Sequence, residues 1–100
     1  MNIRLIVPNC NRSNSPCVAY GPSIARIAGG FTATQGTGGW IDGDGSLIVE
    51  PVTVFDCYHD NTEWDRIRRS FDLLARQIAR DLNQTSVYLG INGEVEFIGQ

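Results

Sequence analysis

Lysine is absent from this chain: all eight of its basic residues are arginine. A glycine-rich segment here cannot be completed by the lysine of a P-loop. Histidine occurs once, at His59, which removes most acid–base and metal-ligand mechanisms. Three cysteines without a secretion signal point to free thiols, with a short Cys10–Cys17 bridge as the alternative. No apolar run approaches the roughly 20 residues needed to cross a bilayer. The start, Met-Asn-Ile-Arg-Leu-Ile-Val-Pro, is too short in apolar residues for a signal peptide, so a cytoplasmic location is expected. Repeats, linkers and low-complexity runs are missing. A net charge of −3 argues against general nucleic-acid affinity, which rests on neutralising phosphates.

What is present is one domain over 1–100, with a hydrophobic share of 42% that suits a globular core. Its clearest feature lies between Thr62 and Leu82. Trp64, Ile67, Phe71, Leu74, Ile78 and Leu82 recur at steps of three and four, the stripe of a helix docked on a sheet. Arg66, Arg69, Arg76 and Arg80 cluster on the opposite side, with Leu73 exposed among them. Thr62 is the expected N-cap, with Asp65 completing a capping box.

The remaining elements follow from alternation and breakers. Ile3, Leu5 and Val7 mark a strand that stops at Pro8. Asn9 to Ser15 reads as a polar turn. Ser15-Pro16 starts a helix that Gly21-Pro22 breaks or kinks and Gly29-Gly30 ends. Phe31 to Thr34 is strand-like, Gln35 to Gly39 interrupts it, and Trp40-Ile41 resumes. Asp42-Gly43-Asp44-Gly45 turns the chain into Leu47 to Glu50. Pro51 is expected to put a bulge or bend in that strand before it continues over Val52 to Tyr58. Ser86 to Ile91 and Glu94 to Ile98 form a hairpin around Asn92-Gly93.

This order is β-α-β-β-α-β, the ferredoxin-like α+β arrangement: an antiparallel sheet in order 4-1-3-2, two helices on one face, and a C-terminal hairpin. The other face is bare. Gly29 to Trp40, Glu50 to Val54, Ser86 to Leu89 and Asn92 to Phe97 together resemble a loosely defined set of small proteins encoded by phages, prophages and plasmids. The resemblance implies a mobile-element setting and brings no assigned activity.

Several constellations carry chemistry. Gly36, Gly38, Gly39 and Trp40 could hold an anionic, nucleotide-like ligand, the glycine amides on the anion and the indole on a ring. A flexible turn beside an aromatic is the plainer reading. Asp42-x-Asp44-x-Ser46 begins like a calcium loop, but Leu47 stands where glycine is required and Thr53 where glutamate is. Cys57 and His59 lie two apart and share one side of a strand, yet neither finds a second half for a zinc site or a nucleophile–base pair. Asp65–Arg69 and Asp72–Arg76 pair at i,i+4, which fits a solvated face. Arginine around the apolar Leu73 also has the composition of an interface hot spot.

The first functional reading is a non-enzymatic interaction protein of phage type, an inhibitor of a host defence or regulatory complex. It would meet an acidic protein surface through Arg66, Arg69, Leu73, Arg76 and Arg80, or form a homodimer through the bare sheet face. The alternative is a small-ligand binder using Gly36, Gly38, Gly39 and Trp40. An enzyme ranks last, because no acid–base pair is visible. No cofactor and no metal are expected.

Overall fold

The computed structural model describes residues 1–10 and 15–100. The polar turn expected over Asn9 to Ser15 falls largely on residues 11–14, outside the described residues. Five strands form one antiparallel sheet: β1 (Asn2–Pro8), β2 (Thr32–Ile41), β3 (Leu47–Tyr58), β4 (Ser86–Ile91) and β5 (Glu94–Gly99). Their spatial order is β2-β3-β1-β4-β5. Helices α1 (Pro16–Ala28) and α2 (Trp64–Asp81) complete an α+β fold consistent with a ferredoxin-like arrangement.

Cross-strand register assigns the two faces. Leu5 lies opposite Phe55 on one side and Leu89 on the other, so the three share a face. All three are buried in one cluster with Ile24 of α1 and Ile67, Phe71 and Ile78 of α2. Both helices therefore cover this face. Arg4, Ile6, Val54, Asp56 and Tyr88 alternate with the core residues and project from the uncovered face.

The apolar stripe of α2 is buried as its spacing requires. Its start differs from expectation. Helix α2 itself opens after Glu63, which makes no side-chain cap bond. Asp60, not Thr62, caps the preceding turn, its carboxylate accepting from the Thr62 N–H at 3.1 Å and also from the Thr62 hydroxyl. A carboxylate is the stronger acceptor at the positive end of a helix. A short 3₁₀ turn, Asn61–Glu63, then leads into α2.

Three breaker expectations are corrected. Helix α1 runs through Gly21-Pro22 without interruption. Val18, whose carbonyl loses its partner at Pro22, is exposed, so water can satisfy it. The bare backbone of Gly21 lets the Phe31 ring pack close, where a Cβ would stand 3.0 Å from the ring. Strand β2 is continuous across Gln35 to Gly39, and β3 passes Pro51 in unbroken register, Thr37 opposite Pro51. The Pro51 carbonyl accepts from Asn9 at 2.9 Å. Its missing N–H faces the Asn9 carbonyl just past the end of β1, so only the last bond of that ladder is forgone.

Serine and glycine cap α1 as expected: the Ser15 hydroxyl accepts from Val18, and Gly29 takes the left-handed conformation at φ 89°. Asn92 and Gly93 both have positive φ, 51° and 82°, the geometry of a two-residue hairpin turn. No helix among the described residues is long and apolar enough to cross a membrane.

Candidate functional site

The uncovered sheet face carries a concavity of about 640 Å³. Its base is apolar: Ile6 and Pro8 come from β1, and Val52 from β3. Trp40 stands at one end with Glu50 beside it, while Tyr88 and Phe97 stand at the other. Trp40 leaves 46% of its surface exposed and Phe97 leaves 70%. The Tyr88 and Phe97 rings meet edge to face, centroids 5.9 Å apart, because the Asn92-Gly93 turn sets them directly opposite. Large aromatics held this open are poor stabilisers of the fold and good platforms for a flat ring.

A second hollow of about 380 Å³ adjoins the first on the same face. Tyr88 lines both. Its ring lies across Gly90, with Cε1 3.4 Å from where a Cβ would stand. Beyond it, Arg4 and Asp56 face each other across β1 and β3. Arg4 Nε donates to Asp56 Oδ1 at 2.8 Å and Nη2 donates to Oδ2 at 3.1 Å. The guanidinium is raised above its ordinary pKa, first by this hydrogen bonding and then by the carboxylate's charge.

The expected ligand residues are only partly brought together. Gly38, Gly39 and Trp40 line the concavity; Gly36 lies further along the same strand, packed over Val52. The glycines are strand residues in a regular ladder, not a loop, so their amides do not converge on one anion. Their contribution is lack of bulk: a Cβ on Gly38 would stand 3.1 Å from Val52.

The arginine face of α2 is exposed and lies on the helix layer, away from this sheet face. Arg66 pairs with Glu63 at 3.0 Å and Arg76 with Asp72 at 3.0 Å. The expected Asp65–Arg69 pair is not formed among the described residues. Cys10, Cys17 and Cys57 are free thiols. Burial among the core side chains pushes the Cys57 thiol up to about 11, so it is a poor nucleophile at neutral pH. In the β2–β3 turn, the Asp42 and Asp44 carboxylates accept from the loop's own N–H groups. Hydrogen bonding to Asp42 and Ser46 holds Asp44 down at about 2.

No protein-family model matches the chain, and no curated protein matches it either. Two solved structures share its fold. One is a phage SAM lyase in complex with S-methyl-5′-thioadenosine, with a TM-score of 0.71 and 14% identity over 99% of this chain and 88% of that one. The other is a phage SAM lyase in the apo state, with a TM-score of 0.64 and 16% identity over the same shares. The phage source of both agrees, at low identity, with the phage-type resemblance of the sequence.

These structures correct the first functional reading. A non-enzymatic inhibitor of a host complex has no support from them, because the proteins that share this fold are enzymes acting on a small molecule. The expectation that the chain is not an enzyme falls with it. The small-ligand alternative fares better.

Sequence reasoning missed most of the site. Tyr88 and Phe97 were legible in principle, since a two-residue turn at Asn92-Gly93 forces that pairing. Glu50, Val52, Arg4 and Asp56 meet only through the strand order.

Proposed function

We propose that this chain binds an adenosine-bearing sulfur compound on its uncovered sheet face and cleaves S-adenosylmethionine to methylthioadenosine. The aromatic-ended concavity of about 640 Å³, with an apolar base and with Glu50, Gln84, Thr85 and Ser86 also in its lining, carries this reading. The adenine stacks on Trp40, the ribose lies over Pro8 and Val52 with its hydroxyls toward the Glu50 carboxylate, and the sulfonium meets Tyr88 and Phe97. A sulfonium over aromatic faces is a cation–π contact of the kind that aromatic cages make with quaternary ammonium groups. The fold shared with a SAM lyase that holds methylthioadenosine supports the choice of ligand.

The chemistry needs neither an acid–base pair nor a metal set, and no metal-ligating cluster stands among the described residues. A sulfonium is already a leaving group. Sulfur takes both electrons of its bond to the aminobutyryl carbon and departs as a neutral thioether. The substrate's own carboxylate oxygen closes onto that carbon, so atoms and charge balance with no added reactant. Opposite charges are consumed in this step. An apolar surface that solvates charge less well than water therefore favours it.

Incubation of the purified chain with S-adenosylmethionine should release methylthioadenosine faster than the protein-free solution does, as measured by liquid chromatography. No release above that background, together with no binding of methylthioadenosine, would overturn the reading.

A further inference from the structure

We propose that the Arg4–Asp56 pair is the amino-acid end of this site. Arg4 receives the α-carboxylate of the ligand, and Asp56 receives its α-ammonium. The assignment rests on the reading of the adjoining concavity as an adenosine site.

Three observations carry it. The first is valence. A guanidinium has five N–H donors, and Asp56 takes only two of them, from Nε and Nη2. Three donors on Nη1 and Nη2 remain. Each Asp56 oxygen likewise accepts one of these bonds and keeps capacity for another. No other hydrogen bond reaches either side chain among the described residues. The pair is thus a fixed positive group beside a fixed negative group, each half-used. That is the complement of a zwitterionic α-amino acid.

The second is place. The pair lines the hollow of about 380 Å³ that Tyr88 shares with the larger concavity. Along β1 the order is Arg4, Ile6, Pro8, all on the uncovered face. Arg4 and Pro8 are four residues apart, roughly 13 Å at about 3.3 Å per residue. Ribose over Pro8, sulfur at Tyr88 and amino acid at Arg4 follow the order of atoms in the ligand, with Trp40 four residues beyond the level of Pro8 on β2. One carboxylate oxygen held by an Nη donor leaves the other free to close onto the carbon that sulfur leaves.

The third is that stability gives little reason for the pair. Its side chains are 54% and 42% exposed, and cross-strand ion pairs this open contribute about 0–1 kcal/mol.

Titration calorimetry with two ligands tests the assignment. S-Adenosylhomocysteine carries the amino-acid arm and methylthioadenosine has a methyl group in its place. Neither is a sulfonium, so neither turns over. The wild-type chain should bind S-adenosylhomocysteine at least about tenfold more tightly, the scale of one charge-assisted contact. Arg4→Met should abolish that advantage and leave methylthioadenosine binding unchanged. The exchanged pair Arg4→Asp with Asp56→Arg keeps the cross-strand contact, and melting temperature checks the fold of both variants. It should not restore the advantage, because the charges then face the wrong ends of the zwitterion. Equal affinity of the two ligands for wild type, or an advantage that survives Arg4→Met or returns in the exchanged pair, would overturn the assignment and leave the adenosine site standing. If wild type binds neither ligand, the adenosine site itself fails.

Discussion

Trp40→Ala tests the proposed ligand site directly. An exposed indole presents at most about 250 Å². With 46% of Trp40 open to solvent, roughly 100 Å² remains for a ligand to cover. A stacked base covers some 50–100 Å² of it, which at about 25 cal/mol per Å² is worth roughly 1.3–2.5 kcal/mol. That range agrees with the ~1–3 kcal/mol lost per base when stacking aromatics are truncated. The affinity for methylthioadenosine should therefore fall about 10- to 70-fold. The rest of the side chain is shielded from solvent, so the melting temperature should also drop by several degrees, and binding is best measured well below it. Trp40→Phe keeps a flat ring and should lose far less. Arg69→Glu, on the opposite layer, should leave affinity unchanged. Calorimetry on the three variants decides the matter. Wild-type affinity in Trp40→Ala, or equal losses in Trp40→Ala and Trp40→Phe, would refute stacking on this residue.

The fold makes two further predictions. Phe71→Ala should destabilise the chain by about 3–5 kcal/mol in urea denaturation, because the ring is fully enclosed between α2 and the sheet; a loss below about 1 kcal/mol would contradict a helix layer packed on that face. Asp44 titrates in the folded state at about 2 against its usual 3.8. Its folded pKa is depressed, so the support it gives the β2–β3 turn is complete above pH 3.8 and disappears as pH falls through about 2. Carboxyl NMR should place the Asp44 midpoint near 2, with the Ser46 amide signal moving in step; a midpoint at 3.8 would show that the turn bonds do not hold in solution.

The parts of the fold legible in the sequence are those whose signal is local and repeated. The α2 stripe from Ile67 to Ile78 needs only a period of 3.6, and tertiary packing agrees with it residue by residue. The hairpin at Asn92-Gly93 needs only positive φ at two positions. The misreadings fall where tertiary structure overrides a local breaker. Gln35 to Gly39 has low strand propensity, yet β3 offers an uninterrupted ladder opposite it, and crowding by Val52 leaves little room for larger side chains at Gly38. Pro51 and Pro22 were read as disruptions because a lost N–H was assumed to be needed. At Pro51 the loss is one bond at the very end of the β1 ladder, and at Pro22 the carbonyl left over belongs to the exposed Val18. Thr62 is no helix cap because it lies inside the 3₁₀ turn that enters α2, and Asp60, two residues earlier, caps that turn instead.

The site was harder to read for a different reason. Arg4 and Asp56 are 52 residues apart, and only the placement of β1 between β3 and β4 sets them beside Tyr88. Singly, each looks like an ordinary solvent-facing residue of an alternating strand. The chemistry adds to the concealment. Motif reading looks for a base, a nucleophile or a metal set, since most bond cleavage needs one of them. A sulfonium substrate brings its own leaving group and its own nucleophile. What it asks of a protein is a surface that holds adenine, strips water from the charged sulfur and fixes the direction of the amino-acid arm. Aromatic rings, an apolar floor and one half-used ion pair would meet those needs, and on this sheet face they come from all five strands. The mistaken preference for a non-enzymatic role thus came from the class of chemistry sought, while Trp40 and the glycines beside it already marked one end of the surface on which this chemistry is proposed to run.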